Sequence, residues 1–296
     1  MEQKRFPISA FMPAPDGRNL GPNRLTRPEH ASRRDAEMRK LLVKCGVVDG
    51  VDGSAYVELG GTKVLCTVNG PQDLEKEASS ASRNEFLSES MNRAILQVEV
   101  DFSPMCTLEE RAHRAGNVAE RQDKKRAAEA QVEWARHIGT LLKGALTPTV
   151  CLEKYPKSLI ELRFTILQDD GGVVACACCC ATMALCNASV ELFDMLPAVS
   201  LGAVESPTGT RRFIVDPASA ECEELLSPTD LENRRNRLLT TVALMPSLNQ
   251  VTLFDQKGFC QPDLLRGAFE EAQNACRKLY QLLKAKAKGD VPKGED

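Results

Sequence analysis

Three groups of side chains in this 296-residue chain could do chemistry by residue type alone. The first is Cys176, Cys178, Cys179 and Cys180, in the run CACCC. Thiolates hold zinc when two well-spaced Cys-x-x-Cys pairs, or a nearby histidine, complete a tetrahedron. This run has neither, and the residues around it are Ala, Val, Thr and Met. Packing as small apolar side chains in a tight helix contact is the favoured reading. The second group is Arg211, Arg212, Arg234, Arg235 and Arg237. Guanidinium groups suit RNA phosphates, in a salt-dependent way. Against RNA stands a solvated surface, or pairing with Glu221, Glu223 and Glu224. The third group is Lys284, Lys286 and Lys288, at the end of a helical pattern. There they complement the helix dipole, which is favoured over an RNA contact.

Composition narrows the field. The net charge is −3 and the pI about 5.8, so the chain does not coat nucleic acid by bulk electrostatics. Any RNA contact has to come from a local cluster. Hydrophobic residues make up 43%, but aromatics only 5%, so the core has to rest on Ala, Val, Leu, Ile and Cys. The N-terminal MEQKRFPISAFMPAPDGRN carries no apolar run of signal-peptide length. Free thiols in a reducing compartment are therefore the default for the twelve cysteines. The stretch from Val173 to Val190 is long and apolar, but it is built from Ala and Cys and includes Thr182, Asn187 and Ser189. A buried central helix explains it better than a membrane span, which is rich in Leu, Ile and Phe.

The elements that must position these groups follow from periodicity. Residues 1–40 read as an irregular arm. A strand is expected over Leu41–Val48, then a hairpin of Ser54–Leu59 and Thr62–Val68 turning at Gly60-Gly61, with Gly70-Pro71 ending its second strand. Leu96, Val98, Val100 and Phe102 alternate with polar residues, as do Ile160, Leu162, Phe164 and Ile166. Charged insertions occupy about 72–93 and 109–126, the latter expected to be mobile or solvated. A helix follows, with Trp134, Ile138, Leu141, Leu142 and Ala145 on one face. After a turn at Asp169–Gly172 comes the Cys/Ala helix. Short strands are expected at Ala198–Val204, Phe213–Val215, Thr241–Leu244 and Gln250–Phe254. A last helix starts near Pro262-Asp263, with a stripe of Leu265, Phe269, Ala272, Cys276, Leu279 and Leu283. This mixture implies an α+β (mixed α/β) class, with one domain over 41–286 and a flexible tail at 287–296.

Several ordered segments resemble the RNase PH family. They are PDGR at Pro15–Arg18, GSAYVELGGTKVLCTVNGP at Gly53–Pro71, YPKSLIELRFTILQDDGG at Tyr155–Gly172, Asn187-Ala188, and VALMPSLNQV at Val242–Val251. Within that family, LLTTVALMPSLNQV looks most like a ring subunit of the eukaryotic RNA exosome. The resemblance covers roughly Asp16 to Leu283. It implies two βαβα-like halves with helices packed between mixed sheets. It also implies pairing with another RNase PH-like subunit inside a six-membered ring, OB- or KH-type cap proteins above, RNA in a central channel, and residence in nucleus, nucleolus and cytoplasm.

Phosphorolysis needs donors for two anionic groups, and a carboxylate for a metal or for the leaving oxygen. The resemblance places these functions at three positions. A Gly-Gly-Thr/Ser-Arg phosphate loop falls on Gly171, Gly172, Val173 and Val174, which keeps the glycines but loses hydroxyl and guanidinium. Paired arginines fall on Glu133 and Trp134, with Arg136 about a turn away. A spaced pair of aspartates falls on Asn233 and Leu239, with Asp230 and Glu232 near but off register. Loss of even one transition-state donor typically costs ~100- to 1000-fold in rate. The resemblance thus implies a ring subunit without catalysis, metal or cofactor. Two alternatives stay open: an active phosphate-dependent 3′→5′ exoribonuclease, and an RNase PH-like scaffold outside the exosome.

Overall fold

The computed structural model describes residues 33–73, 92–103, 106, 120–205, 210–226 and 236–289, with backbone only at 120–128. Its first sheet holds β1 (Leu41–Cys45), β2 (Gly53–Leu59), β3 (Thr62–Asp73), β4 (Ile95–Phe102) and β5 (Ser158–Gln168), in the order β1-β2-β3-β5-β4. All pairs are antiparallel except β4 with β5, which is parallel. The second sheet is wholly antiparallel. It holds β6 (Ala198–Glu205), β7 (Arg211–Val215), β8 (Arg237–Met245) and β9 (Gln250–Phe259), in the order β7-β6-β8-β9. The helices are α1 (Glu120–Leu146), α2 (Val173–Asn187), α3 (Ser219–Leu226) and α4 (Pro262–Ala287).

The expected α+β architecture is present, and α2 is its centre. Thirteen of its fifteen residues, Val173 through Leu185, are buried. That is possible only because α2 carries no charge and offers mostly small side chains to neighbours on every side. Cys180 Sγ donates to Ala55 O of β2 at 3.2 Å and Val64 O of β3 at 3.5 Å, and Cys179 Sγ approaches Ala198 O of β6 at 3.9 Å. The helix thus links both sheets. Alternation in β5 sends Ile160, Leu162, Phe164 and Ile166 inward, each fully buried. α4 packs on β6 and β8 and reaches α2. No helix of the described residues is long and apolar enough to cross a membrane.

Several boundaries differ from the sequence reading. β3 does not end at Gly70-Pro71. A register shift between Asn69 and Gln72 accommodates the proline, and pairing resumes at Gln72↔Leu159 and Asp73↔Ser158. α1 begins at Glu120, so the segment to Arg126 is not wholly irregular. Its Glu, Gln, Lys, Arg and Ala residues are strong helix formers without needing an apolar face. β8 starts at Arg237 rather than Thr241, and β9 runs to Phe259 rather than Phe254. In α4 the buried stripe is led by Leu264 and Ala268, with Leu265 and Phe269 at its border. Of the insertion expected over about 72–93, Gln72 and Asp73 belong to β3 and 74–91 lie outside the described residues; of the tail expected over 287–296, Ala287 closes α4 and 290–296 lie outside them.

Candidate functional site

The loop Asp169–Gly172 joins β5 to α2, at the place where an anion could meet a helix N-terminus. Gly171 (φ 86°) and Gly172 (φ 69°) both take the left-handed conformation. A Cβ on Gly171 would stand 2.8 Å from Pro217 O, so a side chain has no room there. Val173 and Val174 follow and turn into the core, 5% and 7% exposed. They leave only backbone N–H groups for an anion.

A guanidinium does reach this loop, but from the N-terminal arm. Arg39 donates through Nε and Nη2 to the two carboxylate oxygens of Asp216, at 2.8 and 2.7 Å. Its Nη1 donates to Asp170 O at 2.7 Å and Asp170 Oδ2 at 3.0 Å, and Nη2 also reaches Gly171 O at 3.1 Å. The Arg39 N–H donates to Asp216 Oδ2 at 3.0 Å. Thr62, beside the hairpin turn, donates to Gly171 O at 2.6 Å and accepts from Asp170 N at 3.1 Å. Residues 33–40 are irregular in backbone, yet this network anchors them where hairpin, loop and second sheet meet. Arg39 is engaged on every nitrogen, so it offers the loop no free phosphate-binding fork.

Trp134 and Leu239 come together around a residue that sequence reasoning missed. Leu239 of β8 lies opposite Lys257 of β9. Lys257 Nζ sits 4.2 Å from the centroid of the Trp134 ring, which stacks on His137 at 5.4 Å. A cation over an indole face is attracted by the ring quadrupole. Burial pulls the Lys257 pKa down, opposed by Asp255, Cys222 and Asp169. Asp169 is the next carboxyl inward: burial pushes its pKa up, while the Gly171 N–H, donating to Oδ1 at 2.9 Å, opposes the shift. So α1, β8–β9 and the start of α2 do converge on one cleft. Glu133 lies exposed on α1, whereas Asn233, Asp230 and Glu232 lie outside the described residues. Lys257 escaped notice because β9 was expected to stop at Phe254. Asp255, Gln256 and Lys257 are all polar and Gly258 follows, so no alternation in the sequence marks the rest of the strand.

The arginine group gathers at one end of the second sheet. Val204 of β6 pairs with Arg212 on one side and Arg237 on the other. Each described member has a partner. Arg211 Nε binds Glu205 at 3.1 Å, Arg212 holds Asp35 through Nε and Nη2 at 2.6 and 2.8 Å, and Arg237 Nη1 donates to Glu224 O at 3.0 Å. Arg234 and Arg235 lie outside the described residues. In α2 the four clustered cysteines are buried, and desolvation raises each thiol pKa, that of Cys179 to about 12. Thiols so held are poor thiolate ligands and poor nucleophiles.

A two-sheet α/β core with a glycine loop capping a buried central helix is the architecture of RNase PH-type proteins. The family model for the 3′ exoribonuclease family, domain 1 (RNase PH), matches residues 37–191, and the chain belongs to this family. Among its relatives are proteins named exosome complex component MTR3. The one from Mus musculus is 30% identical over 256 residues, 86% of this chain and 84% of the relative. The one from Homo sapiens is 32% identical over 220 residues, 74% and 71% of the two chains. Both agree with the eukaryotic exosome ring subunit that LLTTVALMPSLNQV resembles. Exosome complex component Rrp41 of the archaeon Nitrosopumilus maritimus is 26% identical over 248 residues, 84% and 85% of the two. In fold, the chain is similar to rice (Oryza sativa) Rrp46, with a TM-score of 0.61 and 17% identity over 87% of this chain and 98% of that one. It is also similar to the archaeal exosome core, with a TM-score of 0.56 and 18% identity over 85% and 89%.

Proposed function

We propose that this chain is a non-catalytic ring component of an RNA exosome. It would pair with other RNase PH-like subunits in a six-membered ring that carries OB- or KH-type caps and helps line an RNA channel. The names of its relatives support exosome membership. The observation that carries the non-catalytic part is the loop Gly171–Val174. Its two valine side chains are buried, and the Arg39 guanidinium at its back is fully engaged. In the register that the family resemblance implies, Leu239 falls where acid chemistry would need a carboxylate; its cross-strand neighbour Lys257 is turned onto Trp134. Among the described residues, the matched positions of this cleft keep the framework without a hydroxyl, a free guanidinium or a carboxylate for phosphoryl transfer.

The experiment is purification at native expression level under gentle conditions, followed by quantitative mass spectrometry. Near-equal amounts of several RNase PH-like proteins and OB/KH caps are expected. Elution alone, or with unrelated partners, would remove the exosome assignment and leave an RNase PH-like scaffold.

A further inference from the structure

β4 is the outer strand of the first sheet, and its backbone has a direction that matters. Ser103 N–H donates to Ile166 O of β5 at 2.8 Å. Alternation then turns Gln97, Glu99 and Asp101 toward β5, and the N–H and C=O groups of Val98, Val100 and Phe102 toward the open edge. None of these three residues makes an edge-side backbone hydrogen bond among the described residues. Beside this edge runs a groove of about 650 Å³, whose other wall is α1.

The groove has the two features that select an extended peptide. Its floor is apolar, formed by half-buried Val98 and Val100 against Ala135 and Gly139 of α1. Its rim is cationic. Arg136 and Lys143 lie seven residues apart, two helical turns along one face, both exposed and with no ion pair among the described residues. Glu99 and Asp101 of β4 also line the groove, but strand alternation sends their side chains to the face of the sheet opposite Val98 and Val100, and Glu99 is held by Arg163 at 3.1 Å and Gln97 at 3.0 Å. An unpaired strand edge facing a helix is the geometry of strand addition, in which main-chain bonds give affinity and alternate side chains give selectivity. RNA phosphates would also meet Arg136 and Lys143, but they have no use for a row of backbone donors and acceptors over an apolar floor.

We propose that the groove between β4 and α1 docks an extended, acidic segment of a partner protein, which adds a strand to the edge of β4 and sets its carboxylates on Arg136 and Lys143. This goes beyond ring membership and stands whether or not the cleft is silent.

The test uses the full chain and two synthetic hexapeptides, acetyl-Glu-Val-Asp-Val-Glu-Val-amide and the same peptide with Lys at each acidic position. A uridine hexanucleotide is the third probe. The acidic peptide is expected to bind and to slow hydrogen exchange at the Val98, Val100 and Phe102 amides. Its affinity should fall at least tenfold in Arg136→Glu/Lys143→Glu, two exposed positions whose replacement leaves the core intact. Equal binding of both peptides, binding without protection of those amides, or binding of the RNA alone with the same arginine and lysine dependence would overturn the proposal.

Discussion

Replacing Arg39 by methionine removes the guanidinium and leaves its partners in place. Asp216 is the group that suffers. Its side chain is 1% exposed, and both carboxylate oxygens lose a donor closer than 3 Å. The carbonyls of Asp170 and Gly171 lose donors as well. Removing one member of a buried ion pair costs about 3–5 kcal/mol, because the other charge stays buried without compensation. Arg33, whose Nη1 lies 3.7 Å from Asp216, offsets a small part of this. The expected loss is therefore about 4 kcal/mol. With a urea slope of about 3 kcal/mol/M, the unfolding midpoint should fall by about 1.3 M. Asp170→Asn should cost far less, about 1 kcal/mol, since that side chain is 30% exposed and its backbone carbonyl still accepts. Arg39→Lys should not rescue, because one ammonium cannot replace a planar fork reaching two carboxylates and two carbonyls. A midpoint for Arg39→Met within about 0.3 M of the parent chain, or equal to that of Asp170→Asn, would refute the anchoring role given to the arm.

Trp134 is the chain's sole tryptophan, so its fluorescence reports on Lys257. It should titrate with a midpoint below the ordinary lysine value of 10.5, and Lys257→Met should abolish that transition. Because the folded state sheds this proton first, Lys257 makes stability rise with pH between its lowered pKa and 10.5, the reverse of a lysine held by a strong partner. A thiol reagent at pH 8 should label exposed Cys45 and Cys186 in the native chain and leave Cys176, Cys178, Cys179 and Cys180 unlabelled until denaturant is added; mapping the labelled peptides decides this. Gly53→Ala would bring a Cβ to 2.5 Å from Ala184 O of α2, and thermal melts should show a loss of about 1–3 kcal/mol. Charge reversal of Arg211, Arg212 and Arg237 should weaken protection of RNA by the assembled ring and flatten its salt dependence; unchanged protection would remove the RNA role expected of these arginines.

Much of the frame was legible because its periodicities are strong. β5 alternates over Ile160–Ile166, and the Ala/Cys run of α2 has no polar face to expose. The start of α1 was not legible by the same route, since its charged first turns carry no apolar stripe and only intrinsic propensity marks them. α3 escaped for a related reason: SAECEELL spans eight residues, too short for a helical period to stand out. At the site, the buried valines and Trp134 could be located by motif position. Arg39 and Asp216 lie 177 residues apart, and no local pattern announces an ion pair closed by tertiary structure. Lys257 was lost with the end of β9, where Gly258 at φ 100° and Phe259 disguise a strand that keeps its ladder.

The silent cleft is tested most directly by incubating 3′-labelled RNA and inorganic phosphate with the purified chain, and with the isolated ring that contains it. No release of nucleoside diphosphate attributable to this chain is expected. Phosphate-dependent release that disappears on replacing Asp230 by asparagine, with the fold intact, would contradict it and mark the chain as an active phosphorolytic exoribonuclease.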